Sequence, residues 1–314
     1  PLSIDCLIID EFSMVDNWLF YNLLKASVHV KKICIIGDED QLPSVGPGCL
    51  LRDLINTNIW PLVRLDHIFR QQEGSGVIKL ASDIKHDCVD FKSYESDVAF
   101  YKIDNYSIVN NVVNIVKSAL DKGYSLNDIQ VLSCKYKGSI GIDVLNANLQ
   151  NCFNPKDKGV REFKFGPRIF RENDKILQLK NQPDDNVYNG DIGTLISIEF
   201  PYENDLKQTV IYVDYDGTIV EYSNETFINI THAYCISIHK SQGSEYPIVI
   251  LPISMENYSM LEKRLIYTAI TRAKKSVVIL GDESAFFKGL EVKEKHDRKS
   301  DLTLDIINKI QLKN

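Results

Sequence analysis

Several segments of this chain end an apolar run in groups suited to phosphate. Leu7-Ile-Ile9 runs directly into Asp10 and Glu11. A carboxylate at a strand end can hold Mg2+ through water, and a neighbouring Glu can polarise the water that attacks a terminal phosphate. The same pair can equally cap a helix. Ile33–Ile36 runs into Gly37-Asp38, with Gln41 three residues on in a Gly/Pro-rich loop. A neutral amide placed there can hydrogen-bond a phosphate or the attacking water, although Asp, Pro and Gly also build ordinary turns. His239-Lys-Ser241-Gln-Gly243-Ser-Glu245 follows another apolar run and offers backbone N–H groups to the phosphate of a nucleotide or nucleic acid. His239 has no second His or Cys at ligand spacing, which argues against a metal there.

Two arginines complete the set. Arg70 lies in Phe69-Arg-Gln71, a setting that by itself reads as a surface cation. Arg272 shares a helix face with Thr268 and Thr271 at i, i+3 and i+4 spacing. From there it can reach into a cleft and stabilise a transferring phosphate, or it can simply end a basic helix.

The elements that must hold these groups are legible as patterns. Leu7–Ile9, Ile33–Ile36, Ile129–Leu132, Tyr234–Ile238, Ile248–Ile253 and Val277–Gly281 read as strands of parallel sheets covered on both faces. Helices are expected over Trp18–Ala26, Ile108–Lys122 (stopping at Gly123), around Val144–Leu149 and over Met260–Arg272. Near Pro155 the texture changes. Asp174–Lys180, Ile192–Glu199, Thr209–Tyr215 and Thr218–Tyr222 read as antiparallel strands, with Asn189-Gly190 and Asp216-Gly217 as two-residue hairpin turns. The fold expected is α/β, with a small β-barrel at 159–230 inserted into the second of two units. Residues 1–68 form the first unit, 69–158 and 231–287 the second, and 288–314 a polar tail with a short helix.

Composition narrows the class. Of 314 residues, 44% are apolar and 25% charged, enough to fill cores and to exclude a disordered or collagen-like chain. Apolar runs are far shorter than the roughly 20 residues that span a bilayer, and no stretch reads as an export leader. Seven scattered cysteines without C-x-x-C spacing predict buried, reduced thiols and a cytoplasmic location. A net charge of −7 speaks against wholesale polyanion binding but leaves room for a local basic groove.

In order and spacing the segments DEFSMVD, GDEDQLPSVGPG, Phe69-Arg-Gln71, Tyr188-Asn-Gly-Asp-Ile-Gly193, HKSQGSEYP and YTAITRAKK resemble the superfamily 1 helicases, specifically the RecD-like 5′→3′ DNA helicases. The resemblance covers about residues 2–305. It implies two RecA-like motor domains, the first partial, with a Src-homology-like barrel inserted in the second. It further implies ATP and Mg2+ as cofactors, with Asp10 on the metal through water, Glu11 activating water and Gln41 sensing phosphate. Arg70 and Arg272 would face the γ-phosphate, and Gly243 and Glu245 the nucleotide. His239, Ser241 and Thr268 would meet single-stranded DNA or its junctions with duplex.

One departure stands out. The family's G-x-x-x-x-G-K-[ST] loop is missing, since none of the 16 glycines is followed by Lys. Pro1 at the start, with a strand close behind it, adds to the expectation of a fragment partnered by a missing N-terminal part and inactive alone. A non-hydrolysing DNA-binding remnant and a subunit of a recombination-repair complex are the alternatives.

Overall fold

The computed structural model describes residues 1–65, 75–292 and 298–312. Strand β1 (Cys6–Ile9), helix α1 (Asn17–Ala26) and strand β2 (Lys32–Ile35) make a βαβ unit, with Cys6 opposite Lys32 in a parallel pair. Asp16 caps α1, its carboxylate accepting the Leu19 N–H at 2.8 Å. Helix α2 (Leu50–Asn56) follows the glycine-rich loop. The strands are parallel as expected, but they are not covered on both faces. Ile8 is 65% exposed, and Trp18, Leu19, Tyr21 and Leu24 of α1 also face outward. The described part of this sheet has two strands, too few to bury both faces of either.

The second unit is a five-stranded, wholly parallel sheet covered on both sides. It begins with α3 (Gly76–Lys85), β3 (Val98–Lys102), α4 (Ile108–Asp121), β4 (Ile129–Ser133) and α5 (Ile142–Phe153). Gly123, at φ +90°, ends the chain segment after α4 as a left-handed stop. The insert then supplies β5 (Glu162–Phe165), β6 (Arg168–Arg171), β7 (Lys175–Gln178), β8 (Ile192–Glu199), β9 (Val210–Tyr215), β10 (Thr218–Tyr222) and β11 (Ile230–His232). The α/β rhythm returns with β12 (Cys235–Ser237), β13 (Tyr246–Ile253), α6 (Lys263–Ile270), β14 (Ala273–Gly281), α7 (Glu283–Glu291) and α8 (Leu302–Gln311). Strand order in the parallel sheet is β12-β4-β13-β14-β3. Val112, Val116, Leu145 and Leu149 from α4 and α5 pack one face, while Leu80, Ile84, Ile266 and Phe286 from α3, α6 and α7 pack the other.

In the insert, β10-β9-β8-β7-β11 form an antiparallel sheet beside the β5–β6 hairpin, around a core that includes Phe170, Leu195, Val213 and Phe227. Asp216 (φ +51°) and Gly217 (φ +95°) make the expected tight hairpin between β9 and β10. Asn189-Gly190 does not. Only Gly190 takes positive φ, in a turn closed by the Asp191 N–H on the Tyr188 carbonyl, and the β7–β8 connection runs from 179 to 191.

Two buried polar side chains fasten the insert to the second unit. The fully buried Asp174 accepts from the Arg171 N–H and Gln150 Nε2 at 2.7 Å, Asn154 Nδ2 at 2.8 Å and the Tyr234 hydroxyl at 3.0 Å. Asp174→Ala is therefore expected to cost about 3–5 kcal/mol, because buried donors lose their acceptor. Urea unfolding checks it. Lys175 Nζ donates to the Leu126 and Ile129 carbonyls and to Gln130 Oε1 at 3.0–3.2 Å. Burial pushes its amine from 10.5 down to about 7, against a smaller opposing pull from Asp128. Between those values the unfolded chain holds a proton that the folded chain has released. Stability should thus climb from about pH 7 toward pH 10, by on the order of 1 kcal/mol per unit. Lys175→Met should flatten that slope in unfolding curves taken across the range.

Two further expectations change, and the tail carries the expected short helix, α8. Cys49, Cys134 and Cys235 are buried, but Cys6, Cys34, Cys88 and Cys152 are exposed thiols. Helix α6 is shorter than expected because the chain passes into β14 at Ala273, so Arg272 sits at the helix–strand junction. Described residues of the tail bond to the first unit. Arg298 Nη1 donates to the Gly46 carbonyl at 2.6 Å and the Gly48 carbonyl at 2.9 Å, and Thr303 Oγ1 donates to the Asp53 carbonyl at 2.9 Å.

Candidate active site between the two parallel sheets

Asp10 and Glu11 leave the C-terminal end of β1, the edge where open α/β sheets bind ligands. Asp10 is exposed, and its Oδ1 accepts the Glu11 N–H at 2.8 Å. Glu11 holds φ +50°, a left-handed conformation that costs free energy in a residue with a Cβ and tends to occur at functional turns. The turn is held by its neighbour. Phe12 is fully buried, packs edge-to-face on Phe20 at 5.1 Å, and its N–H donates to the Ile36 carbonyl. The two strand ends touch, since a Cβ on Gly37 would lie 3.2 Å from the Ser13 nitrogen.

From this edge Asp38–Leu42 reaches the second unit, and four hydrogen bonds join segments that are more than 190 residues apart. Arg272 Nη2 donates to Gln41 Oε1 at 3.1 Å. The Leu42 N–H donates to Thr268 Oγ1 at 2.9 Å, and Gln242 Nε2 donates to the Leu42 carbonyl at 2.9 Å. The Tyr267 hydroxyl donates to Asp38 Oδ2 at 2.9 Å. Arg272 is 1% exposed. A guanidinium so desolvated needs its donors occupied. Nε donates to the Thr268 carbonyl, Nη1 to the Ser244 carbonyl and Nη2 also to Thr271 Oγ1, all at 3.2–3.3 Å.

The geometry brings Gln41 and Arg272 together, and Gln41 lines one small cavity with Ser13, two residues past Glu11. It gives Ser241 and Thr268 a different role from the expected DNA contact. Both are fully buried, Ser241 Oγ donating to the Ile238 carbonyl at 2.8 Å and Thr268 Oγ1 accepting from Leu42. Their hydroxyls are used inside the protein, as anchors. His239 and Lys240 remain half-exposed, and burial pushes both below their usual values. Lys240 Nζ also donates to Asn189 Oδ1 of the insert at 2.5 Å. Gly243 takes φ +76° with open space where a Cβ would be, so backbone is accessible there. Glu245 pairs with Lys274 at 3.3 Å. Arg70 lies outside the described residues. Among the described residues no cluster of three or more His, Cys, Asp or Glu could hold a metal, and no helix is long and apolar enough to cross a membrane.

Sequence reasoning missed Tyr267 and Gln242 as bridging residues. Both lie inside motifs already singled out, but only the fold tells which side chains cross the seam. Lys85, which approaches Asp38 from α3, carries no sequence signal at all.

Two parallel sheets joined through Gln41 and Arg272, with an antiparallel insert in the second, make up this α/β fold. Comparison with known proteins narrows this. A family model described as "ATP-dependent RecD-like DNA helicase SH3 domain" matches residues 145–215, "UvrD-like helicase C-terminal domain" matches 232–280, and "AAA domain" matches 3–104. The ATP-dependent RecD2 DNA helicase of Deinococcus radiodurans is 30% identical over 91% of this chain and 38% of its own length. The RecBCD enzyme subunit RecD of Buchnera aphidicola is 24% identical over 91% of the chain and 56% of its own length. A crystal structure of the Bacteroides Pif1 helicase with ADP-AlF3 and ssDNA shares the fold at TM-score 0.53 and 18% identity, over 99% of this chain and 76% of that one. The chain belongs to the RecD-like superfamily 1 DNA helicases. It spans 38% and 56% of the length of these two relatives.

Proposed function

We propose that the chain is a motor portion of an ATP-dependent DNA helicase that translocates on single-stranded DNA and unwinds duplex. On this reading it comprises part of one RecA-like domain (1–68), a second one (69–158 and 231–287), a Src-homology-like insert (159–230) and a tail (288–314). The observation that carries the reading is the Gln41–Arg272 contact at 3.1 Å, made by a fully buried arginine across the seam between the sheets.

The residues present fit the implied cofactors in part. One exposed carboxylate at a strand end suits Mg2+, which keeps most of its waters and takes one or two protein carboxylates beside phosphate oxygens. When bound, Mg2+ neutralises charge that builds on the phosphates. Asp10 would hold it through water. Glu11 accepts the proton of the attacking water. Gln41 and Arg272, with Arg70 as the second arginine, meet the γ-phosphate, while Gly243 and Glu245 meet the rest of the nucleotide. His239 with Lys240 contacts the DNA backbone, so binding is sequence-independent and weakens with salt. The P-loop that completes the cradle is not within these 314 residues, so this chain by itself is expected to turn over no ATP.

Two preparations test this: the 314-residue chain and the protein as its gene encodes it. ATP hydrolysis stimulated by single-stranded DNA is expected in the second and not in the first. Turnover by the 314-residue chain contradicts the P-loop argument, and none in either contradicts the helicase reading. The RecBCD relatives favour a second reading, a subunit of a larger recombination complex. Co-purification of stoichiometric partner subunits with the native protein would favour that one.

A further inference from the structure

Lys85 is the last residue of α3, on the second unit, yet its ammonium faces the strand-end loop of the first. Nζ lies 2.8 Å from Asp40 Oδ2, 3.9 Å from Asp38 Oδ1 and 4.9 Å from the centre of the Tyr267 ring. Asp38 is the hub of this group. Its Oδ2 accepts from the Tyr267 hydroxyl at 2.9 Å and, more loosely, from Gln41 Nε2 at 3.4 Å. Gln41 turns its other amide atom, Oε1, to Arg272. The orientation of the Gln41 amide is thus set from two sides, by a carboxylate on its nitrogen and a guanidinium on its oxygen.

We propose that Lys85 is a positioning residue for the phosphate sensor: through Asp38 it fixes the resting orientation of the Gln41 amide and ties α3 to the closing of the cleft. The inference rests on the helicase reading for its consequence in turnover, though not for the latch itself. Lys85 sits opposite two carboxylates of the other unit, Asp38 and Asp40, and compensates their charge where they are partly desolvated. The ammonium is held well above its ordinary value by Asp40, Asp38 and Tyr267 in spite of burial, which agrees with a charge that stays paired. To donate to an incoming phosphate oxygen, Gln41 Nε2 must leave Asp38. Lys85 and Tyr267 hold that carboxylate while the exchange takes place. Without Lys85, two uncompensated carboxylates oppose the approach of the second unit.

Two arms test this. In the first, hydrogen exchange of the protein as its gene encodes it is compared for Lys85→Met, Lys85→Arg and the unaltered protein. Lys85→Met should speed exchange in 38–46 by about tenfold while α5 keeps its protection, and Lys85→Arg should restore most of it. Unchanged exchange in 38–46 overturns the latch, as does equal loosening of α5, which would mark a general structural defect. The second arm measures DNA-stimulated ATP hydrolysis in the protein as its gene encodes it. Lys85→Met should lower kcat several-fold with KM for ATP nearly unchanged, and Lys85→Arg should recover it. Parental kcat in Lys85→Met, or a loss confined to KM, overturns the coupling role. If the unaltered protein hydrolyses no ATP, the helicase reading fails, together with the coupling role that rests on it, while the exchange result still decides the latch.

Discussion

Arg272→Ala is expected to cut DNA-stimulated ATP hydrolysis by about a thousandfold or more, in the range found for arginines that stabilise a transferring phosphate. The size of the effect follows from where the side chain sits. Its guanidinium is 1% exposed, so its charge acts in a medium that screens it weakly. Its Nη2 already reaches Gln41 Oε1 from the far side of the seam. Alanine removes that charge and takes the guanidinium's hydrogen bonds from the Ser244 carbonyl and from the Thr268 carbonyl, which still accepts from Thr271 Oγ1. Part of the loss therefore comes from a loosened seam, and Arg272→Lys separates the two contributions. Lysine keeps the charge but not the fork of donors, and should recover stability more than turnover. Steady-state kinetics beside thermal unfolding reads both. Parental turnover in Arg272→Ala would remove the arginine from the chemistry.

Glu11→Gln is expected to reduce hydrolysis by about 10²–10⁴-fold while nucleotide binding survives, because an amide cannot accept the proton of the attacking water. The backbone makes this position a sensitive one. Glu11 holds φ +50° between the exposed Asp10 and the buried Phe12, so the side chain leaves the strand end in one direction. Glutamine has the same shape and the same backbone needs, so the fold should be unaffected. Binding of a fluorescent ATP analogue with unchanged Kd, alongside lost turnover, checks the assignment. Equal losses in both would make Glu11 a structural residue of the turn.

The sequence made the strand-end groups legible for a physical reason. Cys6–Ile9 and Lys32–Ile35 are short apolar runs, and a parallel strand that ends in Asp-Glu or Gly-Asp has nowhere to put those groups except the sheet edge. The insert was equally plain, because Thr218–Tyr222 alternates with period two and Ile192–Glu199 does so on either side of a register shift between Leu195 and Ser197. What pattern could not reveal was direction in three dimensions. Thr268 and Ser241 carry the same hydroxyl whether they face a ligand or a neighbouring carbonyl, and both turn inward. Lys85 ends an ordinary amphipathic helix and becomes informative only once α3 is docked against the Asp38 loop. The strands β1 and β2 were read as covered on both faces because a continuous apolar run does not report what lies over it, and Ile8 is exposed.

A double-mutant cycle joining Gln41→Ala and Arg272→Ala, scored by kcat for DNA-stimulated ATP hydrolysis, tests most directly whether the two sheets close on one phosphate. Two groups that grip the same charge lose their effect together. The double variant should therefore be little worse than Arg272→Ala alone, giving strongly non-additive losses. Losses that simply multiply would mean that Gln41 and Arg272 act independently, and the contact between them would then have no part in the reaction.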